Sequence, residues 1–308
     1  MTQAMAPIEP GGVDSPYAWM RLVLSMFLAT IGGVGMWSVI VVLPAVQYDF
    51  AVDRADASLP YTATMVGFAV GNMIFGRMVD RFGITGPLAL ASGALGGGFL
   101  LASQAPSLAI FTLLQGVLIG FGAAATFGPL LADVSHWFAR RRGFAVSVTA
   151  AGNYVAGAVW PLGIEELMQD HGWRGTYIVI GIICLVVLVP AAFLLRRPAP
   201  HQVTRLDGTR PVDPPPARAT TLSPGALQCV LVVAGIGCCV AMAMPQVHIV
   251  AYCVDLGFGV ARGAEMLSLM LFGGIASRVI SGLLADRIGG IYTLLLGAVL
   301  QCLALLLF

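Results

Sequence analysis

The sequence has no lysine and few charges of any kind. Of its 308 residues only 10% are charged, against about 25% in soluble domains. Sixteen arginines stand against fifteen acids for a net charge of +1. That balance offers no strongly basic face to nucleic acid and no acidic tail to a basic partner. The six cysteines (Cys184, Cys229, Cys238, Cys239, Cys253 and Cys302) lie in apolar runs without metal-ligand spacing and read as small buried thiols. There is no HExxH, no His/Asp/Glu metal cluster and no Ser/Lys or Asp pair at membrane depth, so a membrane enzyme is disfavoured and no cofactor is expected. The first 20 residues have no basic start, and the apolar run after Arg21 is too long for a cleavable signal.

Apolar residues fill the space that charge leaves. Hydrophobic side chains make up 58% of the chain, and 38 further residues are Gly. A soluble globule could not cover that much apolar surface, so the composition implies a polytopic, all-α membrane protein whose surroundings are the lipid bilayer. Apolar runs predict nine helices, at about 20–44, 58–78, 86–104, 107–132, 144–164, 175–195, 225–252, 262–283 and 290–308. The organisation expected is a tail over 1–19, a six-helix bundle over 20–195, an Arg/Pro-rich linker over 196–223 and three further helices over 224–308. With the N-terminus inside, twelve arginines fall on the inner side and three outside; Arg278 alone lies within a helix. This asymmetry predicts a cytoplasmic N-terminus in an inner or plasma membrane.

The chain repeats itself. Gly76-Arg77-Met78-Val79-Asp80-Arg81-Phe82-Gly83 follows helix 2, and Gly282-Leu283-Leu284-Ala285-Asp286-Arg287-Ile288-Gly289 follows helix 8, the two aspartates 206 positions apart. Upstream, Gly33-Val34-Gly35 leads to Pro44, and Gly235-Ile236-Gly237 leads to Pro245, 201 positions later. Two landmarks at nearly one offset predict a duplicated six-helix unit, an architecture used by transporters. On that reading nine helices are six plus three. The expectation is a twelve-helix protein of which this chain ends after the ninth.

At these residues the chain resembles the major facilitator superfamily, whose loop after helix 2 reads Gly-x-x-x-Asp-Arg-x-Gly and two basic residues. Gly76, Asp80, Arg81 and Gly83 match, as do Gly282, Asp286, Arg287 and Gly289; the trailing basic pair is absent from both copies. Thr112, before Gly116, replaces the basic residue of the drug-antiporter branches. A narrower similarity, to the monocarboxylate and oxalate–formate exchanger branch, rests on Asp14-Ser15-Pro16-Tyr17-Ala18-Trp19, on Trp137-Phe138-Ala139-Arg140-Arg141-Arg142-Gly143-Phe144-Ala145 with Ala151-Gly152, and on Gly172-Trp173-Arg174. The resemblance implies alternating access, a small organic anion as substrate and an exchanged or co-transported ion as a further partner. It also implies conformational gating by Gly76, Asp80, Arg81, Gly83, Gly282, Asp286 and Arg287; a solvated loop acid is the alternative for each aspartate.

Arg278 is the sharpest candidate for chemistry. A guanidinium in hydrocarbon costs a few kcal/mol, so it should face a cavity and an anion; its planar fork suits a carboxylate. The carboxylate-transporting branch carries an arginine at the matching place, four residues before Gly282. Snorkelling to the inner headgroups is the alternative. The proton-coupled members' aspartate one turn earlier is replaced by Gly274, which leaves proton symport, exchange and uniport open. His248 is the one intramembrane group suited to a proton relay, and a packing role competes with it. Asn153, Tyr154, Gln246 and Trp37 stand at probable midplane depth, as cavity-lining groups or as helix glue. Trp19, Trp137 and Trp173 read as interface anchors, and Arg140-Arg141-Arg142 as a topology determinant. An exporter of drugs or amphipathic metabolites, and a chain without transport activity of its own, are the competing readings.

Overall fold

A computed structural model of the chain describes residues 12–197 and 223–307. The side chains of Arg54 and of several residues between 224 and 268, among them Gln246 and His248, lie outside that description. The described residues are helical throughout, without a strand, and fall into two compact units, Met1–Pro200 and His201–Phe308.

In the first unit, α1 (Pro16–Gly32) and α2 (Val34–Asp49) form the first span, interrupted at Gly33. Ser15 caps α1, its hydroxyl accepting from the Ala18 N–H, with Pro16 at the first helical position, where a missing N–H costs nothing. The helix therefore starts inside the expected tail. A short turn, α3 (Arg54–Ala57), leads to α4 (Leu59–Phe82), and α5 (Thr85–Ala102) follows. The fourth span is broken into α6 (Leu108–Leu114), a π-helical stretch Gln115–Gly120, α7 (Phe121–Ala124) and, past an irregular Phe127, α8 (Gly128–Ser135). Then α9 (Arg142–Ile183), a second π stretch Cys184–Leu188 and α10 (Val189–Leu194) run to the end of the unit.

Segments five and six were expected as helices separated by a loop. The structure joins them by a sharp kink at Gly172 (φ 64°, ψ 176°), a left-handed conformation that glycine adopts without steric cost, which divides Arg142–Ile183 into two helices. This is why seven, not nine, described segments are long and apolar enough to cross a membrane. Arg142–Leu194 counts once, at 53 residues, and the more polar α4 falls below the hydropathy of the rest.

The core of the first unit is built by backbone approach as much as by side chains. A Cβ at Gly67 would lie 1.9 Å from the Gly116 carbonyl oxygen, and one at Gly120 would lie 2.3 Å from that of Thr64. Gly67/Gly71 on α4 and Gly116/Gly120 on the π stretch are thus paired small-residue faces. Lipid tails supply no hydrophobic drive between helices, so such close packing holds them together. Phe75, Phe99, Phe111, Trp173 and Tyr177 fill the space around it, with Tyr177 meeting Phe99 and Trp173 edge to face.

The second unit comprises α11 (Pro224–Asp255), α12 (Gly259–Ile288) and α13 (Gly290–Leu307). Its outer faces are apolar, and Cys229, Cys238, Cys239 and Cys302 are exposed on them. The expectation of buried thiols holds only for Cys184 and Cys253. A cysteine is small and apolar enough to face lipid as readily as core.

Candidate functional site

At the Arg-rich end of the first unit, two motifs more than 120 positions apart in sequence assemble into one cluster. The Asp14 N–H donates to the Trp137 carbonyl (2.9 Å), and the Arg140 N–H to the Asp14 carboxylate (3.2 Å). Asp14 sits at φ 58°, a conformation Asp tolerates better than most residues. Tyr17 packs on Trp137 and Trp19 on Phe138 and Phe144. Trp137 and Trp173 are therefore nearly enclosed, not lipid-facing anchors: each ring closes a helix junction instead of projecting outward.

Arg21 lies at the centre of this cluster, 1% exposed. Its guanidinium grips Asp133 with two bonds, Nε to Oδ2 at 2.7 Å and Nη2 to Oδ1 at 2.8 Å. Nη1 donates to the Tyr17 hydroxyl and to the carbonyls of Leu195 and Arg197, and the Trp137 ring centroid lies 4.7 Å from Cζ. One side chain thus joins the start of α1, the end of α8 and the carbonyls that follow α10. In the sequence Arg21 is one of the twelve inner arginines, and its neighbours name no partner. A sequence signal existed, since an acid and an arginine near the same ends of apolar runs must pair if they are buried.

A second clamp closes the opposite end. Arg174 Nη2 meets Asp49 Oδ2 at 2.9 Å, and Nη1 donates to the carbonyls of Ser103 and Ala105. Its Cζ lies 4.4 Å from the Trp173 centroid. Both partners of this pair are 41% exposed, so it is the more screened of the two.

Between the clamps, the expected midplane residues are partly brought together. The Trp37 indole on α2 donates to the Asn153 carbonyl on α9 (3.3 Å), its ring seated where Gly157 leaves no side chain. The Trp160 indole donates to the Thr30 carbonyl (2.9 Å), and the Thr30 hydroxyl reaches the carbonyls of Met26 and Gly152. Trp37 therefore binds backbone at this seam, and Asn153 and Tyr154 are half-buried beside it. A buried triad was not anticipated: Gln115 Nε2 donates to the Tyr177 hydroxyl (2.5 Å), with the Thr64 hydroxyl 3.4 Å from Gln115 Oε1. A lone amide in an apolar run was the available signal. Flanking it, an apolar groove of about 690 Å³ is lined by Ala63, Val66, Val70, Leu113, Val117 and Phe121 among others.

The two loop motifs end alike. Gly83 caps α4 at φ 76°, its N–H bonded to the Val79 carbonyl; Gly289 caps α12 at φ 92°, its N–H bonded to the Ala285 carbonyl. Asp80, Arg81, Asp286 and Arg287 are exposed at these ends, Arg81 lying over Phe82. A Cβ at Gly76 would meet nothing within 4 Å among the described residues, and Gly282 is buried. In the second unit Arg278 is half-buried on α12, ten residues before its last, inside the apolar segment Leu269–Ile288. The helix is described at Gln246 and His248, but their side chains lie outside the described residues.

These features define a multi-pass helical membrane protein with a repeated loop motif and an arginine at membrane depth. Residues 25–308 match the Major Facilitator Superfamily profile, and the chain belongs to that superfamily. Its relatives are named as transporters. Among its relatives is "Monocarboxylate transporter 13" of Rattus norvegicus, 30% identical over 90% of this chain and 63% of its own length. "Monocarboxylate transporter 4" of Mus musculus is 28% identical, over 92% of this chain and 61% of its own. "MFS-type transporter pytF" of Aspergillus terreus is 27% identical, over 71% of this chain and 72% of its own. The chain thus spans between about three-fifths and three-quarters of the length of these relatives.

Proposed function

We propose that this protein is a secondary transporter of small, monocarboxylate-like organic anions, working by alternating access, with the substrate carboxylate paired to Arg278. The observation that carries the reading is a half-buried guanidinium, whose flat fork suits a carboxylate, within the apolar segment Leu269–Ile288. Such a group is stabilised by an anion that enters with it, and charge neutralisation then lowers the cost of reorienting a loaded site. Relatives named as monocarboxylate transporters add support. The matched glycine caps at Gly83 and Gly289 support rocking of one repeated unit, 20–195, against another that begins at 224. The twelve-to-three arginine asymmetry supports a cytoplasmic N-terminus in the cell membrane. The test is binding and counterflow of a panel of short-chain carboxylates with Arg278→Ala in parallel. Loss in the variant, with membrane insertion intact, is expected; undiminished binding refutes the role.

A second reading, export of amphipathic metabolites, draws on the apolar groove between α4 and the fourth span. It predicts transport indifferent to Arg278 and sensitive to Val66→Asn.

A further inference from the structure

The Arg-rich end of the first unit carries cations that its own acids do not neutralise. Arg140, Arg141, Arg142, Arg196 and Arg197 are all exposed, and none pairs with a carboxylate among the described residues. Of the acids at that end, Asp133 is buried against Arg21, the Asp14 carboxylate accepts from the Arg140 backbone, and Asp80 makes no ion pair with these arginines among the described residues. Two of these guanidiniums lie over aromatic rings. Arg197 Cζ lies 4.6 Å from the Tyr17 centroid, and Arg141 Cζ lies 5.8 Å from that of Trp19. Both rings belong to the first turn of α1, on the cluster built around Trp137.

Topology alone accounts for arginines on one side of a membrane, but not for their stacking. A guanidinium fixed over a ring is partly stripped of water and keeps its flat fork free for an anion, at less entropic cost than a mobile side chain. Its depth suits one anion in particular. Tyr and Trp at a helix start mark the headgroup level of the bilayer, where lipid phosphates are concentrated. Phosphate oxygens accept two parallel bonds from such a fork.

We infer that the stacked arginines Arg141 and Arg197, with Arg140, Arg142 and Arg196 around them, form a binding site for an anionic phospholipid headgroup. The site shares no residue with the one proposed for the substrate, so it stands or falls independently of that reading. It fixes lipid to the same cluster that joins α1, α8 and the end of α10, and bound lipid therefore stabilises the first unit.

The experiment is lipid retention and thermal unfolding of the full chain in nanodiscs of phosphatidylcholine, with or without phosphatidylglycerol. Preferential retention of phosphatidylglycerol and a raised Tm are expected for the unaltered protein. Arg141→Gln/Arg142→Gln/Arg197→Gln should weaken the preference by about fivefold per arginine removed. Trp19→Leu, which keeps every charge, should weaken it too. Should the triple variant not fold, raised ionic strength must diminish the preference of the unaltered protein. Equal retention of both lipids, a preference insensitive to salt, or a triple variant that keeps it overturns the inference. So does inorganic phosphate matching the stabilisation in pure phosphatidylcholine, because the ligand is then the free ion.

Discussion

Replacing Arg21 or Asp133 singly, and then together, probes the clamp at the Arg-rich end. The pair is 1% and 7% exposed, and its two bonds are 2.7 and 2.8 Å long. Removing one member of a buried pair strands the other charge, at a cost of about 3–5 kcal/mol. The two single variants should not be equal. In Asp133→Leu the guanidinium keeps the Tyr17 hydroxyl and two carbonyls, whereas in Arg21→Met the carboxylate loses the partner that makes both its bonds and the Leu195 and Arg197 carbonyls lose a donor. Arg21→Met therefore belongs at the upper end of the range. For a unit of about 200 residues the two span a fall in Tm of about 6–20 °C. The double variant leaves no stranded charge and should be more stable than either single variant. The assay is thermal unfolding of the four proteins in one detergent. Single effects below about 1 kcal/mol, or a double variant as unstable as the sum of its parents, would refute the reasoning.

Other positions give sharper yes-or-no outcomes. Gly67→Ala places a methyl 1.9 Å from the Gly116 carbonyl oxygen and should destabilise the first unit by about 1–3 kcal/mol, seen as a lower Tm. Gly76→Ala meets nothing within 4 Å and should leave stability unchanged or raise it by up to about 1 kcal/mol; a loss of transport without a loss of Tm would then mark Gly76 as a gating residue. Gly83→Ala, at φ 76°, should cost about 1 kcal/mol in unfolding measurements.

Period, composition and duplication made the helical architecture legible, because bilayer-crossing helices must be long and apolar whatever their neighbours. The repeated loop motif was legible, but its helix ends were not: the runs were expected to stop at 78 and 283, whereas the helices continue to Phe82 and Ile288, where Gly83 and Gly289 take positive φ. Helix breaks were not legible. The fourth span reads as one apolar run, yet it divides at Gln115–Gly120 and again near Phe127, since packing on Gly67 and Thr64 sets its local winding. Partner choice was equally hidden. Nothing local to Arg21 names Asp133, and nothing local to Gln115 names Tyr177, because those contacts follow from how distant helices cross. The same limit applied to Trp37, whose indole meets the Asn153 carbonyl 116 positions further along the chain.

The central claim is that Arg278 receives a carboxylate. Its most direct test is binding of a labelled short-chain monocarboxylate to the purified full chain, compared among the unaltered protein, Arg278→Lys and Arg278→Ala. The account predicts saturable binding that weakens in the lysine variant, which keeps the charge but loses the fork, and that vanishes in the alanine variant while the helical content persists. Binding of equal affinity in all three proteins would contradict it.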